Sequence, residues 1–309
     1  MIIIAFDGRH LLGGYGDRVV GIIACKAIAK LLNREFRILW KKENITSFID
    51  ITGYSIDTCP PNAVVYNLID RQSVLKEVLK SHPTPIVGPV AKIYLNQEIA
   101  QYVYSNPRFQ KKKTTKIEAA YYSDMFALYR SLYTDILKPT AQSLRRVEAV
   151  CAGHTNIIGI QVRTGDIYIK NDRNPNAYVA ISDVPTTVLQ LLNGIKSHMG
   201  DAEYSVFITS DYDNIRAIAE TVWSPSQILT NEDSVQHIDR PVSGDFSKFY
   251  VDNFILSQRT RRLYVSDYSN YGRVAALSAT HDDLWNLRAQ PLDKALLLSK
   301  HDQVFGLQS

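Results

Sequence analysis

The chain has 309 residues, of which 45% are hydrophobic, 21% charged and 10% aromatic, with 15 Gly and 12 Pro. That composition excludes a disordered, collagenous or low-complexity protein, and the length exceeds the roughly 250–300 residues of one core, so two domains are expected. Thirty-five basic against 31 acidic residues leave a net charge of +4, which suits an anionic small-molecule substrate and is too slight for nucleic acid.

The N-terminus MIIIAFDG is too short for a signal segment, and no apolar run reaches the ~18–20 residues of a membrane span. Cys25, Cys59 and Cys151 lie too far apart for a disulfide framework or a zinc knuckle, and a reducing compartment is the simplest reading. A soluble, cytoplasmic protein is expected, with peripheral membrane contact left open.

In chain order, short apolar strands alternate with longer amphipathic segments, the α/β signature. Ile2–Phe6 reads as a strand, a Gly-rich turn follows, and Arg18–Asn33 reads as a helix with Val19, Ile22, Ile23, Ala27 and Leu31 at helical spacing. Phe36–Trp40, Ala63–Ile69 and Pro85–Val87 read as strands, and Glu98–Tyr104 and Lys116–Leu137 as helices. The second of these helices carries an aromatic stripe (Tyr121, Tyr122, Phe126, Tyr129, Tyr133), read as core packing. The Lys111–Lys113 run with Lys116 reads as a solvated loop or helix start.

After Pro139, Gln142–Ala152 reads as a helix and the pattern restarts. Strands are expected at Ile157–Val162, Tyr204–Thr209, Gln227–Leu229 and Leu263–Val265. Helices are expected at Val184–Met199, Asn214–Val222, Phe249–Gln258 and Tyr271–Ala279. The expected architecture is two parallel-sheet domains, 1–150 and 151–309, facing each other across a cleft, with ligands at the carboxyl ends of the strands. A C-terminal helix packing back on the first domain is part of that expectation.

Four segments carry candidate chemistry. The turn Gly13-Gly14-Tyr15-Gly16-Asp17-Arg18 lets the backbone approach a ligand and offers helix N–H groups to an anion. The dinucleotide pattern is only half met: Val19 takes the third glycine position, and the second strand runs into Lys41-Lys42 rather than an acid. Its bland alternative is a tight turn with Asp17 as N-cap. Next, IGIQVRTGD (158–166) puts Arg163 at the end of a buried strand, where its charge needs an anion. A diphosphate would supply one, as would a structural pair with Asp166.

The third segment, VFITSDYD (206–213), places Ser210 and Asp211 at a strand end. Its Asp211-x-Asp213 is a weak metal signal, and Asp213 could equally cap the next helix. In the fourth, a helix carrying Asp252 leads to a strand and then to Ser269 and Asn270 at a helix start, a second phosphate cradle. Arg273, one turn in, reads equally as a phosphate ligand or a salt bridge.

In this order the segments resemble the GDP-fucose-dependent fucosyltransferase superfamily, which includes α1,2, α1,6 and protein O-fucosyltransferases. GGYGDRVVGIIACKAIAKLLNREFRILW is similar to its Gly-rich turn, helix and strand, and IGIQVRTGD to its His-x-Arg segment. FITSDYD is similar to its strand-Ser-Asp segment, and VDNFILSQ…SDYSNYGRVAAL to its last motif. The resemblance implies a GT-B fold of two Rossmann-like domains and an inverting transfer without a metal or other cofactor. The implied partners are a GDP-fucose donor and a glycan acceptor. It also implies that Arg163 binds the β-phosphate, Asp252 accepts from guanine, Ser269 binds phosphate, and Gly14 and Gly16 line the cleft. The family's His is Gln161 here, which hydrogen-bonds but cannot carry a proton charge. For the proton acceptor, Asp172 lies near the family's acidic position, with Asp166 and Asp17 as further candidates.

Overall fold

A computed structural model of the chain describes residues 1–10, 12–41, 45–69, 86, 88–96, 125–164, 184–231, 247–266, 269–277, 283–287 and 297–299. Its contacts divide it into two compact units, Met1–Thr140 and Ala141–Ser309.

In the first unit the apolar run Ile2–Phe6 is strand β1, buried throughout. Helix α1 (Tyr15–Leu31) follows, then β2 (Phe36–Trp40), β3 (Ile49–Asp50), β4 (Val64–Asn67), β5 (Ala91–Tyr94), α2 (Met125–Ile136) and β6 (Lys138–Pro139). The main sheet is wholly parallel in the order β2-β1-β5-β4, and β3 pairs with β6 in a small ribbon. Helix α1 lies very close to this sheet, because a Cβ at Gly21 would collide with the Leu95 carbonyl. A buried ion pair joins the two central strands. Lys92 Nζ, on β5, lies 2.7 Å from Asp7 Oδ2, just past β1, and Tyr94 Oη donates to the same oxygen at 3.1 Å.

Of the strand expected at Pro85–Val87 only residue 86 is described, as a bend, and a strand that the reading did not give runs Ala91–Tyr94. Lys92 breaks the apolar run there, yet it is buried because Asp7 neutralises it. The onset of the helix expected at Lys116–Leu137, the helix expected at Glu98–Tyr104 and the lysine run at 111–116 lie outside the described residues. Of the aromatic stripe, Tyr133 is buried in the core; the other four side chains lie outside the described residues.

The second unit begins with α3 (Ala141–Cys151). A boundary after residue 150 cuts its last turn, and its packing on the later helix at Ser247–Gln258 assigns the whole helix to this unit. The order continues β7 (Ile157–Val162), α4 (Val184–Met199), β8 (Ser205–Ser210), α5 (Ile215–Ala219), β9 (Ile228–Leu229) and α6 (Ser247–Gln258). It closes with β10 (Thr260–Ser266), α7 (Asn270–Ala275), β11 (Asp283–Leu287) and β12 (Leu297–Ser299). The sheet order is β9-β8-β7-β10-β11-β12, parallel except for β12. Numbered within the unit this is three-two-one-four-five-six, the doubly wound dinucleotide-binding order.

Both faces are covered. Ile158, Ile160 and Val162 pack with α4 residues Val184, Val188 and Leu192 and with Trp223 and Leu287. On the other face, a Cβ at Gly159 would press on Leu256 of α6. The described part of the C-terminal region consists of β11 and β12, so the expected terminal helix is not among the described residues. Strand β11, which the sequence reading missed, buries Leu284 and Leu287.

Candidate active site

Ligands of a doubly wound sheet collect where neighbouring strands send their connections to opposite faces, at the carboxyl ends. In the second unit that point lies between β7 and β10. Arg163 follows β7, and its backbone N–H donates to Ser266 Oγ, the last residue of β10, at 2.8 Å. Next to it Thr164 gives both its N–H (2.7 Å) and its hydroxyl (2.9 Å) to Asp211 Oδ1, just past β8. Three adjacent strand ends are thereby stitched into one polar ridge.

The Arg163 guanidinium is paired with a carboxylate, that of Asp211. Its Nε lies 3.4 Å from Asp211 Oδ2, and its side chain keeps 32% of its surface exposed against 6% for Asp211. The arginine also borders a small pocket with Val184, Thr187 and Val188 of α4. Asp211 is therefore an orienting carboxylate: its oxygens serve Thr164, Ser210 and Arg163. Among the described residues, no three His, Cys, Asp or Glu side chains group around a point that could hold a metal ion. Asp213 is exposed, and the residue at the N-cap of α5 is Asn214, so the capping role expected for Asp213 is not observed.

One row below the strand ends, Val265, Gln161 and Thr209 are register neighbours on β10, β7 and β8. Gln161 is buried against α7: a Cβ on Gly272 would stand 2.6 Å from Gln161 Oε1, and that oxygen has no hydrogen-bond partner. Thr209 donates to Asp252 Oδ2 at 2.7 Å, and Lys248, one turn earlier on α6, reaches the same oxygen at 3.0 Å. Asp252 is 1% exposed and its Oδ1 has no hydrogen-bond partner. Burial pushes its carboxyl above the usual carboxylate range, and the contacts from Lys248, Thr209 and Asn231 offset this only in part.

At the start of α7, Ser269 Oγ accepts the Gly272 N–H at 3.4 Å as the N-cap. Arg273 donates to Asn270 Oδ1 at 3.1 Å, so these two residues are partners of each other.

In the first unit, Gly13 has φ +74, a left-handed conformation that glycine adopts without strain. Gly14, not Asp17, is the N-cap residue of α1. Asp17 sits at the third helical position and reaches back, accepting the Gly14 N–H at 3.0 Å. That contact uses one oxygen of the carboxylate expected as an N-cap. Gly14 is half-buried and Gly16 is buried within the helix. The close-packing glycine that seemed displaced by Val19 is Gly21. Asp166 and Asp172 lie outside the described residues.

No protein-family model matches the sequence, and none of the curated proteins matches it. Solved structures do. A mutant of Arabidopsis thaliana FUT1 in complex with GDP aligns over 94% of this chain and 71% of its own, at 14% identity and a TM-score of 0.65. A NodZ α-1,6-fucosyltransferase soaked with GDP-fucose aligns over 97% of this chain and 98% of its own, at 13% identity and a TM-score of 0.62. The fucosyltransferase NodZ from Bradyrhizobium aligns over 93% and 94%, at 13% identity and a TM-score of 0.59. The chain has their fold. The α/β architecture of GT-B type implied by the sequence resemblance is thus the one observed. Among the described residues no helix is long and apolar enough to cross a membrane.

Proposed function

We propose that this chain is a glycosyltransferase that moves fucose from GDP-fucose to a glycan hydroxyl, with inversion and without a metal. The observation that carries the reading is Arg163. It stands at the switch point of a dinucleotide-type sheet, a third exposed and oriented by Asp211, in a fold shared with a fucosyltransferase soaked with GDP-fucose.

The chemistry follows from what such a site must do. An acceptor oxygen bonds to the anomeric carbon as the bond from that carbon to the β-phosphate oxygen breaks, and the electron pair leaves with GDP. The hydroxyl proton passes to a carboxylate. Arg163 would neutralise the charge that grows on the departing diphosphate. Ser266 holds the backbone of Arg163 and Asp211 its side chain, so the cation is placed before the donor arrives. Asp252 would accept a hydrogen bond from guanine. Ser269 would contribute to the phosphate contacts, and Gly14 and Gly16 would be further donor-binding positions. Asp172, near the family's acidic position, would be the proton acceptor, with Asp166 and Asp17 as further candidates.

A cytoplasmic location is supported by Cys25, Cys59 and Cys151, all present as free thiols. A second reading keeps the transfer chemistry and changes the donor, because Gln161 replaces the family's histidine.

The test is a thermal-shift panel of GDP, UDP, CMP and dTDP sugars, followed by an assay of GDP release from GDP-fucose. A ligand at 100 times its Kd adds about 2.7 kcal/mol of stability, so the right nucleotide stands out. GDP-fucose shifting the melting point and releasing GDP is the expected result. A shift with UDP alone moves the assignment to the second reading, and binding without turnover reduces the protein to a nucleotide-binding relative.

A further inference from the structure

Protein interiors leave few gaps, so an opening in a core beside a ligand-holding charge is a place for part of that ligand. The second unit has one. Val162 ends β7, Leu287 ends β11, and Val184, Val188 and Leu191 share one face of α4. Together they line a pocket at the strand end that carries Arg163. All five are at most 4% exposed and belong to the main hydrophobic cluster of the unit. The pocket gives about 10 Å³ to the centre of a water-sized sphere, room for about one methyl-sized group. Two polar groups of the lining are engaged elsewhere. Thr164 gives its hydroxyl to Asp211 at 2.9 Å, and Ser266 Oγ accepts the Arg163 N–H at 2.8 Å. Thr187, half-buried, completes the α4 wall. A largely aliphatic socket thus opens directly beside the cation assigned to the diphosphate.

We infer that this socket holds the methyl group of a 6-deoxyhexose, and that Val184 and Val188 select the donor sugar by it. The inference rests on the sugar-nucleotide reading above and adds the part of the sugar that this chain distinguishes. In a hexopyranosyl diphosphate, C6 is joined through C5 and the ring oxygen to the anomeric carbon, which carries the diphosphate. The groups that hold the diphosphate and those that hold C6 are therefore neighbours. On a 6-deoxy sugar C6 is a methyl, and burying it against valine and leucine is favourable. On the same sugar with a 6-hydroxyl, the added oxygen must fit among five aliphatic side chains that give it no hydrogen bond. An apolar pocket rejects an added hydroxyl by about 100-fold at most, which sets the scale of the selection.

The experiment is calorimetric titration of the full chain with GDP, GDP-fucose and GDP-L-galactose, whose sugar is fucose with a hydroxyl on C6. Wild type and Val188→Ile are compared, because isoleucine brings into the socket the methyl that the donor would otherwise supply. The wild type is expected to bind GDP-fucose about 30-fold more tightly than GDP-L-galactose. In Val188→Ile, GDP affinity stays within about twofold while GDP-fucose affinity falls about tenfold. Equal affinity for the two sugar donors in the wild type overturns the inference, needs no variant to fold and leaves the GDP-fucose reading standing. A folded Val188→Ile protein that keeps its GDP-fucose affinity overturns it as well, since the gap is then one of packing alone. So does a loss of GDP affinity as large as that of GDP-fucose, because the effect then lies outside the sugar. A wild type that binds none of the three removes the socket together with the sugar-nucleotide reading.

Discussion

The two units solve the same topological problem with opposite results. Each has a parallel sheet with a switch point, β1 beside β5 in the first and β7 beside β10 in the second, and each places an ion pair there. In the first, Lys92 and Asp7 are both under 10% exposed and Tyr94 shares the carboxylate. Burial pushes the Asp7 carboxyl up, but hydrogen bonds from Lys92, the Arg9 N–H and Tyr94 outweigh it and hold the group below its usual value. In the second, Arg163 is a third exposed, and the row beneath it contains Gln161, whose Oε1 is buried with no hydrogen-bond partner. In the first unit Asn96 Oδ1, past the end of β5, has no partner either. A charge pair that satisfies itself supports the fold, whereas polar groups left unsatisfied beside an exposed cation fit a ligand.

The sharpest break of this contrast is Lys92→Met. Removing Lys92 leaves the Asp7 carboxylate only the Tyr94 hydroxyl, the Arg9 N–H and the exposed Arg9 guanidinium, so stability should fall by about 3 kcal/mol in urea unfolding. Arg163→Met, at a partly exposed pair, should cost no more than about 1 kcal/mol. Equal losses would erase the distinction between the two sites.

Asp252→Asn sharpens it from the other side. Burial raises the Asp252 carboxyl, so ionising it at neutral pH works against folding. The amide variant should therefore melt at the same temperature or higher while GDP affinity drops about 30-fold, from the loss of a charged hydrogen bond. A lower melting point with unchanged affinity would make Asp252 a structural residue. Gly272→Ala should cost about 1–2 kcal/mol, because its Cβ meets Gln161 Oε1 at 2.6 Å and Val265 at 3.0 Å. The same change should weaken GDP binding if the Gln161 amide belongs to the site.

The smallest effect is expected at Tyr54, whose hydroxyl donates to Asp135 Oδ2 at 2.6 Å and so ties α2 to the first unit. Burial and that carboxylate push the phenol up to about 12 from 10.0. A raised phenol stabilises the fold below pH 10, and the benefit drains away as pH rises from 10 towards 12. Tyr54→Phe should lose less than about 1 kcal/mol at neutral pH and lack that alkaline component in pH-dependent melting.

Much of the architecture was legible in the sequence. Strand β1 is an uninterrupted apolar run, β2 and β7 are apolar but for Arg37 and Gln161, and α4 has helical spacing to its last turn, so their bounds match the reading. Strand β5 was not legible, because the lysine in Ala91–Tyr94 looks like a surface residue until Asp7, 85 positions away, is brought beside it. The ridge was half legible. Arg163 and Asp252 stand out as charges inside apolar segments, and both are where a strand end or a covering helix puts them. Their partners were not readable. Asp211 reaches Arg163 and Thr164 only through the pairing of β7 with β8, Thr164 lying 47 positions away in the chain. Asn231 follows a two-residue strand, and it meets Lys248 and Asp252 only once the chain is folded.

The most direct test is the rate of GDP release from GDP-fucose by the wild type and by Arg163→Ala, with folding checked by circular dichroism. The wild type should turn over, and the variant should lose at least about 100-fold while remaining folded. Equal rates in the two proteins would contradict the assignment of the β7 strand end as the diphosphate site.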